Sequence, residues 1–424
     1  MRAWFLTTAR AIAADGALRA YAVILSALHA LTGVAWFTYK HIATLATDED
    51  SVCWPLFPDC DRVRSHLTAS GVRDAVVLYC ALGVLAAILF ARRRCGPALA
   101  LFLAASVLGT LLYALDYRLR LNQTYMFGWV VLAFLFAPDK RQVTALLVAL
   151  FYFWAGTLKL NREWVSGAAL YARPLFVPES LLPLACVYVL LLELVVVWGL
   201  FAPSARVRWC VYAQLLLFHA VSWPVVGYFY PLLMLGLTAI YPLTWLRERG
   251  GVARVGWMSR APAVVAALFS GAQLVPYLFP GDSAITGEGR TFALHMFDAR
   301  VECRGGAILR APSSARSRAL LINDRLEPRL RCDPIVLFAE ATRLCRLLAA
   351  RPEPPAVDVA IDAKRSSDDA MQPLLHIGDF CVQPLAYSPW HHNVWIGAPD
   401  GVAAGPRTRT EKTPATTNSA MNGE

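Results

Sequence analysis

Lys159, in the run FYFWAGTLKLNREW, is the side chain of this 424-residue sequence best placed to do chemistry. Of 40 basic residues only Lys40, Lys140, Lys159, Lys364 and Lys412 are lysine, and the rest are arginine. Arginine keeps its proton at any accessible pH, whereas a lysine taken out of water can give its proton up and serve as a base. A lysine at the edge of a segment fit for lipid therefore has two readings. It is a base in a dry pocket, or it snorkels from a helix end to the headgroups.

The elements that must hold it belong in a membrane. The chain is 57% hydrophobic and 17% charged, with a mean hydropathy of +0.47, which excludes an ordinary soluble domain. Nine apolar runs have roughly the 15 to 22 residues needed to cross hydrocarbon. They cover residues 20–39, 72–90, 96–115, 123–137, 142–160, 181–202, 209–223, 226–246 and 262–279. The expected fold is a polytopic α-helical membrane protein of about nine transmembrane helices with a small C-terminal extracytoplasmic α+β domain. Residues 1–19 read as a cytoplasmic amphipathic N-terminus lying on the inner surface, without a cleavable signal peptide. The transmembrane domain then covers 20–280, the α+β domain 281–402 and a disordered tail 403–424.

Charge sets the orientation. The net charge of +10 does not point to nucleic acid, because the arginines fall in short clusters between apolar runs. One set of short loops holds 14 basic residues, among them Arg92, Arg93, Arg94, Lys140 and Arg141. The opposite set holds eight, including Lys40, Arg62, Arg64, Arg118 and Arg173. The positive-inside rule places the N-terminus in the cytoplasm and everything after residue 280 outside the cell's inner (plasma) membrane. Cys53, Cys60, Cys303, Cys332, Cys345 and Cys381 all fall on that outer side, an even number in an oxidising space. They are the disulfide candidates, and their pairing is open. Cys80, Cys95, Cys186 and Cys210 fall in spans or at the inner face, where no disulfide is expected.

Within the C-terminal part, residues 334–350 read as an amphipathic helix and AVDVAIDA, 356–363, as a half-buried strand. Residues 379–384 and 393–397 are further strand candidates. His391 and His392 lack a partner at ligand spacing, so no metal is expected.

Depth along the spans brings Asp116, Gln123, Lys159 and His219 to one level near the outer face, with Glu193 deeper. Polar groups in lipid usually face the bundle interior, so a shared pocket is expected, although each could instead bond a neighbouring helix.

The stretch FYFWAGTLKLNREWVSG resembles the signature of the HTTM (horizontally transferred transmembrane) family, which includes the vitamin K-dependent gamma-carboxylases. Ala155, Gly156, Lys159, Leu160, Trp164 and Gly167 match it. Cys53 followed by WPLF, Asp116 with LNQTYMFG, Phe218-His219, TGEGRTFALHM and DPIVLFAEATRLC resemble further family segments in order. The resemblance implies a quinol-dependent modifying enzyme, carboxylase-like (a lyase), with reduced menaquinone or vitamin K as co-substrate. Lys159 would be its catalytic base, and Asp116, Gln123, Asn161, Trp164 and His219 would line the substrate pocket. A secreted peptide or protein would be the substrate, beside the lipid bilayer as a permanent partner. Two residues depart from the pattern. Gln123 stands where the carboxylases have a histidine, and Asn161 where they have an aspartate. The alternative is a non-catalytic membrane partner or scaffold for a secreted or membrane protein.

Overall fold

The computed structural model describes residues 2–47, 52–57, 60, 64–170, 177–247, 260–295, 301–311, 317–322, 330–365 and 367–397. The expected disordered tail, and Arg62 and Arg173 of the orientation count, lie outside the described residues. Six helical stretches are long and apolar enough to cross a bilayer, which marks the chain as an integral membrane protein. They are Gly16–Thr38, Ala69–Ala91, Cys95–Ala114, Glu179–Phe201, Ala205–Val226 and Arg260–Leu278.

In chain order the helices are α1 (Arg2–Ala14), α2 (Gly16–Thr38), α3 (Ile42–Thr47), α4 (Ala69–Ala91), α5 (Cys95–Ala114), α6 (Asn122–Phe136) and α7 (Lys140–Thr157). There follow α8 (Arg162–Val165), α9 (Leu182–Leu194), α10 (Ala205–Val226), α11 (Phe229–Thr238), α12 (Ile240–Trp245), α13 (Arg260–Leu274), α14 (Ser283–Thr286) and α15 (Pro334–Ala349). Asp15 ends α1 and caps α2, its carboxylate accepting from the N–H groups of Ala17 at 2.8 Å and Leu18 at 3.2 Å.

The expected count of nine spans is not confirmed: among the described residues six helices meet the length and composition of a span, and the three remaining runs differ from them. Residues 123–137 form α6, only 15 residues long. Residues 142–160 form α7, which opens on Lys140 and Arg141 and is buried through Val143–Tyr152 apart from Ala145. A helix enclosed by protein has no need of a lipid-facing surface. Residues 226–246 break into α11 and α12 rather than one long helix.

Small residues let the helices close up, as membrane bundles require. A Cβ on Gly83 of α4 would stand 2.8 Å from the Ser26 carbonyl oxygen of α2. Lys140 serves structure: its Nζ donates to the Leu135 and Ala137 carbonyls at 2.9 and 3.0 Å, closing the C-terminus of α6.

The C-terminal part carries a four-stranded antiparallel sheet, β1 (Val301–Arg310), β2 (Ser317–Leu320), β3 (Ala356–Arg365) and β4 (Gln372–Ile377), in the order β2-β1-β3-β4. The alternation read in 356–363 holds, since Val357, Val359, Ile361 and Ala363 are buried and pack with Leu337 and Ala341 of α15 or their neighbours. The two further strand expectations do not hold. Residues 379–384 contain a 3₁₀ turn at Phe380–Val382, and 393–397 contribute a single bridge, Ile396 to Leu375. Disulfides join Cys53 to Cys60, Cys303 to Cys332 and Cys345 to Cys381, so all six candidates pair and the other four cysteines form no disulfide.

Beside the sheet, Asp358 shows how one surface charge is set. Burial would raise its pKa, but the Arg310 guanidinium at 2.7–2.8 Å and the Asp379 N–H at 2.9 Å hold it below the usual value of 3.8. A depressed carboxylate stabilises the fold above its unfolded pKa, and that contribution fades as pH falls through the folded value. Arg310→Met is expected to move the Asp358 titration upward, measured by NMR of the side-chain carboxyl; an unmoved midpoint would refute the pairing.

Between membrane helices and sheet runs a connector, residues 286–295, that is largely buried yet mostly not helical. Buried backbone needs partners, and side chains from the helix ends supply them. Arg120 donates to the Ala293 carbonyl, Asn122 to that of His295 and Tyr125 to that of Phe292. The Leu294 N–H donates to Gln273 at 2.7 Å. Buried Glu288 accepts from His392 Nδ1 at 2.8 Å and from the Asn393 backbone N–H at 2.7 Å. His392, the second of the paired histidines, thus helps to clasp the connector.

Candidate functional site

Lys159 follows the last turn of α7, and its side chain is 3% exposed. Its Nζ donates to both oxygens of Glu193 on α9, at 2.6 and 2.5 Å, and Glu193 is fully buried. The neighbouring signature residues build this contact. Ala155 is buried, and Gly156 lets α7 approach α9, since a Cβ there would meet Leu194 at 2.9 Å and Glu193 at 3.0 Å. Asn161 caps α8, accepting from the Trp164 N–H at 2.9 Å while donating to the Leu158 carbonyl at 2.9 Å. That cap aims Trp164 inward. The indole donates to the Cys186 carbonyl at 2.9 Å, and its ring lies 5.3 Å from the Lys159 Nζ. Gly167 then turns the chain at φ +78°, with Leu182 and Pro183 too close for a Cβ. The motif is one structural unit from Ala155 to Gly167.

The depth count sets Glu193 deeper in the membrane than Lys159. The long lysine side chain spans the difference and brings the two together. Around the pair lies more polar chemistry. The Tyr152 hydroxyl and His219 Nε2 are 2.6 Å apart, and the His219 ring lies 5.5 Å from that of Tyr230. Lys159 is within electrostatic range of His219, and Glu193 of both Tyr152 and Tyr230. His219 Nδ1 is buried and has no hydrogen-bond partner among the described residues. Helices α7, α9, α10 and α11 therefore bring two ionisable side chains, a histidine and two phenols into one buried cluster.

The other pocket candidates lie in different surroundings. Both oxygens of Asp116 are engaged: Oδ1 accepts from Arg118 N–H groups at 2.7 and 3.0 Å, and Oδ2 from Arg118 at 2.8 Å and the Val52 N–H at 3.3 Å. Asp116 thereby fastens the disulfide-bearing loop, whose Val52 and Trp54 pack with Tyr117 and with Ile335 and Val336 of α15. Gln123 faces a separate small cavity with Lys40. Of the expected pocket, the structure brings Lys159, Trp164 and His219 together with Asn161 as their support, and sends Asp116 and Gln123 elsewhere.

No family model matches this chain, and neither does any curated protein or solved structure. What the site can do must therefore be argued from its atoms. No group of three or more metal-ligating side chains occurs among the described residues. The donor set suits an uncharged ligand bearing oxygen: the unpaired His219 nitrogen could meet such an oxygen, and Lys159, Glu193 and Tyr152 can exchange protons. Sequence reasoning missed Tyr152 and Tyr230, which sit unmarked in aromatic-rich runs.

Proposed function

We propose that the chain is an HTTM-type membrane protein, related to the vitamin K-dependent gamma-carboxylases, acting as a quinol-dependent modifying enzyme with Lys159 as base. The observation that carries this reading is the Lys159–Glu193 pair, two ionisable groups buried at hydrogen-bond distance inside an apolar bundle. Intramembrane ionisable groups are costly, and function is the default reason for keeping them. A proton can pass from Nζ to the Glu193 carboxylate without changing the net charge of the pair. The neutral amine so formed is the base, and His219 Nδ1 would bind the oxygen from which the proton comes. A reduced quinone, when bound, supplies the acidic hydroxyl and the reducing electrons. Cys53, Cys60 and the four cysteines of the sheet domain support an extracytoplasmic outer face, with the N-terminus in the cytoplasm of an inner-membrane protein. The substrate would be a secreted peptide or protein reached from that face.

The test is oxygen-dependent conversion of reduced menaquinone or vitamin K by the purified chain in nanodiscs. Lys159→Arg keeps the charge but cannot release its proton, so turnover should fall by about 10²–10⁴-fold. Full activity in that variant would end the assignment of Lys159 as base.

A second reading rests on the same bidentate contact, which also suits a staple between α7 and α9. The chain is then a non-catalytic scaffold for a secreted or membrane protein. That reading requires function to survive Lys159→Met/Glu193→Leu and a stoichiometric partner to co-purify.

A further inference from the structure

Outside the helices that can span a membrane, one loop of the sheet domain holds two apolar side chains away from any core. Trp390 is 64% exposed and Val394 87%. The loop that carries them is tied down. The Asn393 Oδ1 accepts from the Ser388 N–H at 2.7 Å, and its amide donates to the Ser388 carbonyl at 3.0 Å and to buried Glu288 at 2.8 Å. The Ser388 hydroxyl accepts from the N–H groups of Trp390 and His391, both at 3.2 Å. A loop fixed in this way keeps an indole in water, which is unfavourable unless something apolar covers it.

The position of the loop says what does. The Trp390 ring lies 4.8 Å from that of Phe292 in the connector. The connector runs along the end of α13 and its 3₁₀ extension, Val275–Leu278. Gln273 donates to the Tyr125 hydroxyl at 3.2 Å, that hydroxyl donates to the Phe292 carbonyl, and the Leu294 N–H donates to Gln273 at 2.7 Å. Gly289 is so near Pro276 that a Cβ would stand 2.7 Å from its Cα. Gln273 stands five residues before Leu278, the last residue of the span Arg260–Leu278. At about 1.5–2 Å per residue, these contacts reach about 8–10 Å inside the end of the span. Trp390, beside Phe292, therefore lies near the level at which the span leaves hydrocarbon. Leu274, Tyr277 and Leu278 at that end are exposed too, as a lipid-facing surface requires.

We infer that residues 388–394 form an interfacial anchor: Trp390 and Val394 enter the headgroup–acyl boundary of the bilayer beside the end of α13. The partner is a lipid surface. Tryptophan suits that depth, because its ring is apolar while its N–H can meet the headgroups. Tyr277 supplies a second aromatic at the same end of the span. The loop thus extends the lipid-facing surface of the helices onto the sheet domain and holds that domain against the membrane.

The experiment is photocrosslinking of the full chain in phosphatidylcholine nanodiscs. The photoreactive residue benzoylphenylalanine replaces Trp390 in one variant and Val394 in a second. Ala319 on β2 is the control, because β2 lies at the opposite edge of the sheet from β4, where Ile396 bridges. Both test side chains are exposed, so the substitutions ask little of the packing, and two positions give independent readings. Mass spectra should show lipid adducts at 390 and 394 about tenfold above those at 319, since only a side chain within the boundary layer meets acyl chains. Lipid adducts missing from both positions, or as frequent at 319, overturn the anchor.

Discussion

Lys159→Met is expected to lower stability by about 3–5 kcal/mol, the usual result of stranding one member of a buried ion pair. Glu193 would be left with a charge in an apolar bundle, fully shielded from water. Lys159→Met/Glu193→Leu removes both charges and restores apolar packing against Gly156, so most of the loss should return. Thermal unfolding in detergent, run on single and double variants together, measures this. A single variant as stable as the parent would show that the two side chains are not paired. The cycle matters for enzymology too: loss of activity in Lys159→Met confounds lost chemistry with lost structure, whereas Lys159→Arg isolates the proton.

The second large effect concerns the disulfides of the sheet domain. Cys303–Cys332 and Cys345–Cys381 close loops of 29 and 36 residues. The chain-entropy relation makes each worth about 3.5–4 kcal/mol. Replacing Cys345 and Cys381 by serine should therefore loosen α15 from the 3₁₀ turn at Phe380–Val382. Hydrogen exchange should rise in residues 334–349 and 372–382 while α2, α4 and α5 keep their protection. Unchanged exchange in α15 would show that the bridge adds nothing to the domain. Free thiols at these positions in mass spectra of the native chain would deny the bridge altogether.

Much of this was legible in the sequence, for identifiable reasons. Long apolar runs betray spans because lipid imposes length and composition together. The even set of six cysteines outside the expected spans and inner loops predicted which would pair, although spacing could not say with whom. The strand at 356–365 showed through its alternation. β1 did not, because Arg304, Gly305 and Gly306 interrupt its pattern. α7, read as a span, is largely sheathed by protein, and hydropathy alone cannot tell an inner helix from a lipid-facing one. At the site, the expectation that Lys159 and His219 lie near one another was readable from span depth. Glu193 was set apart because depth counting ignores how far a lysine side chain can reach. Asp116 and Gln123, expected at the same level, lie in other surroundings, since level fixes height and not the direction around the bundle.

The connector at 286–295 has a consequence for how this protein can be taken apart. Its carbonyls and N–H groups answer donors and acceptors on Arg120, Asn122, Tyr125 and Gln273, which belong to the helix ends. Excising the sheet domain would leave those side chains unanswered in a dry place, so neither half is a free-standing module. A load applied to the sheet domain, such as a docking polypeptide, would pass through these bonds to the rim of α6 and α13.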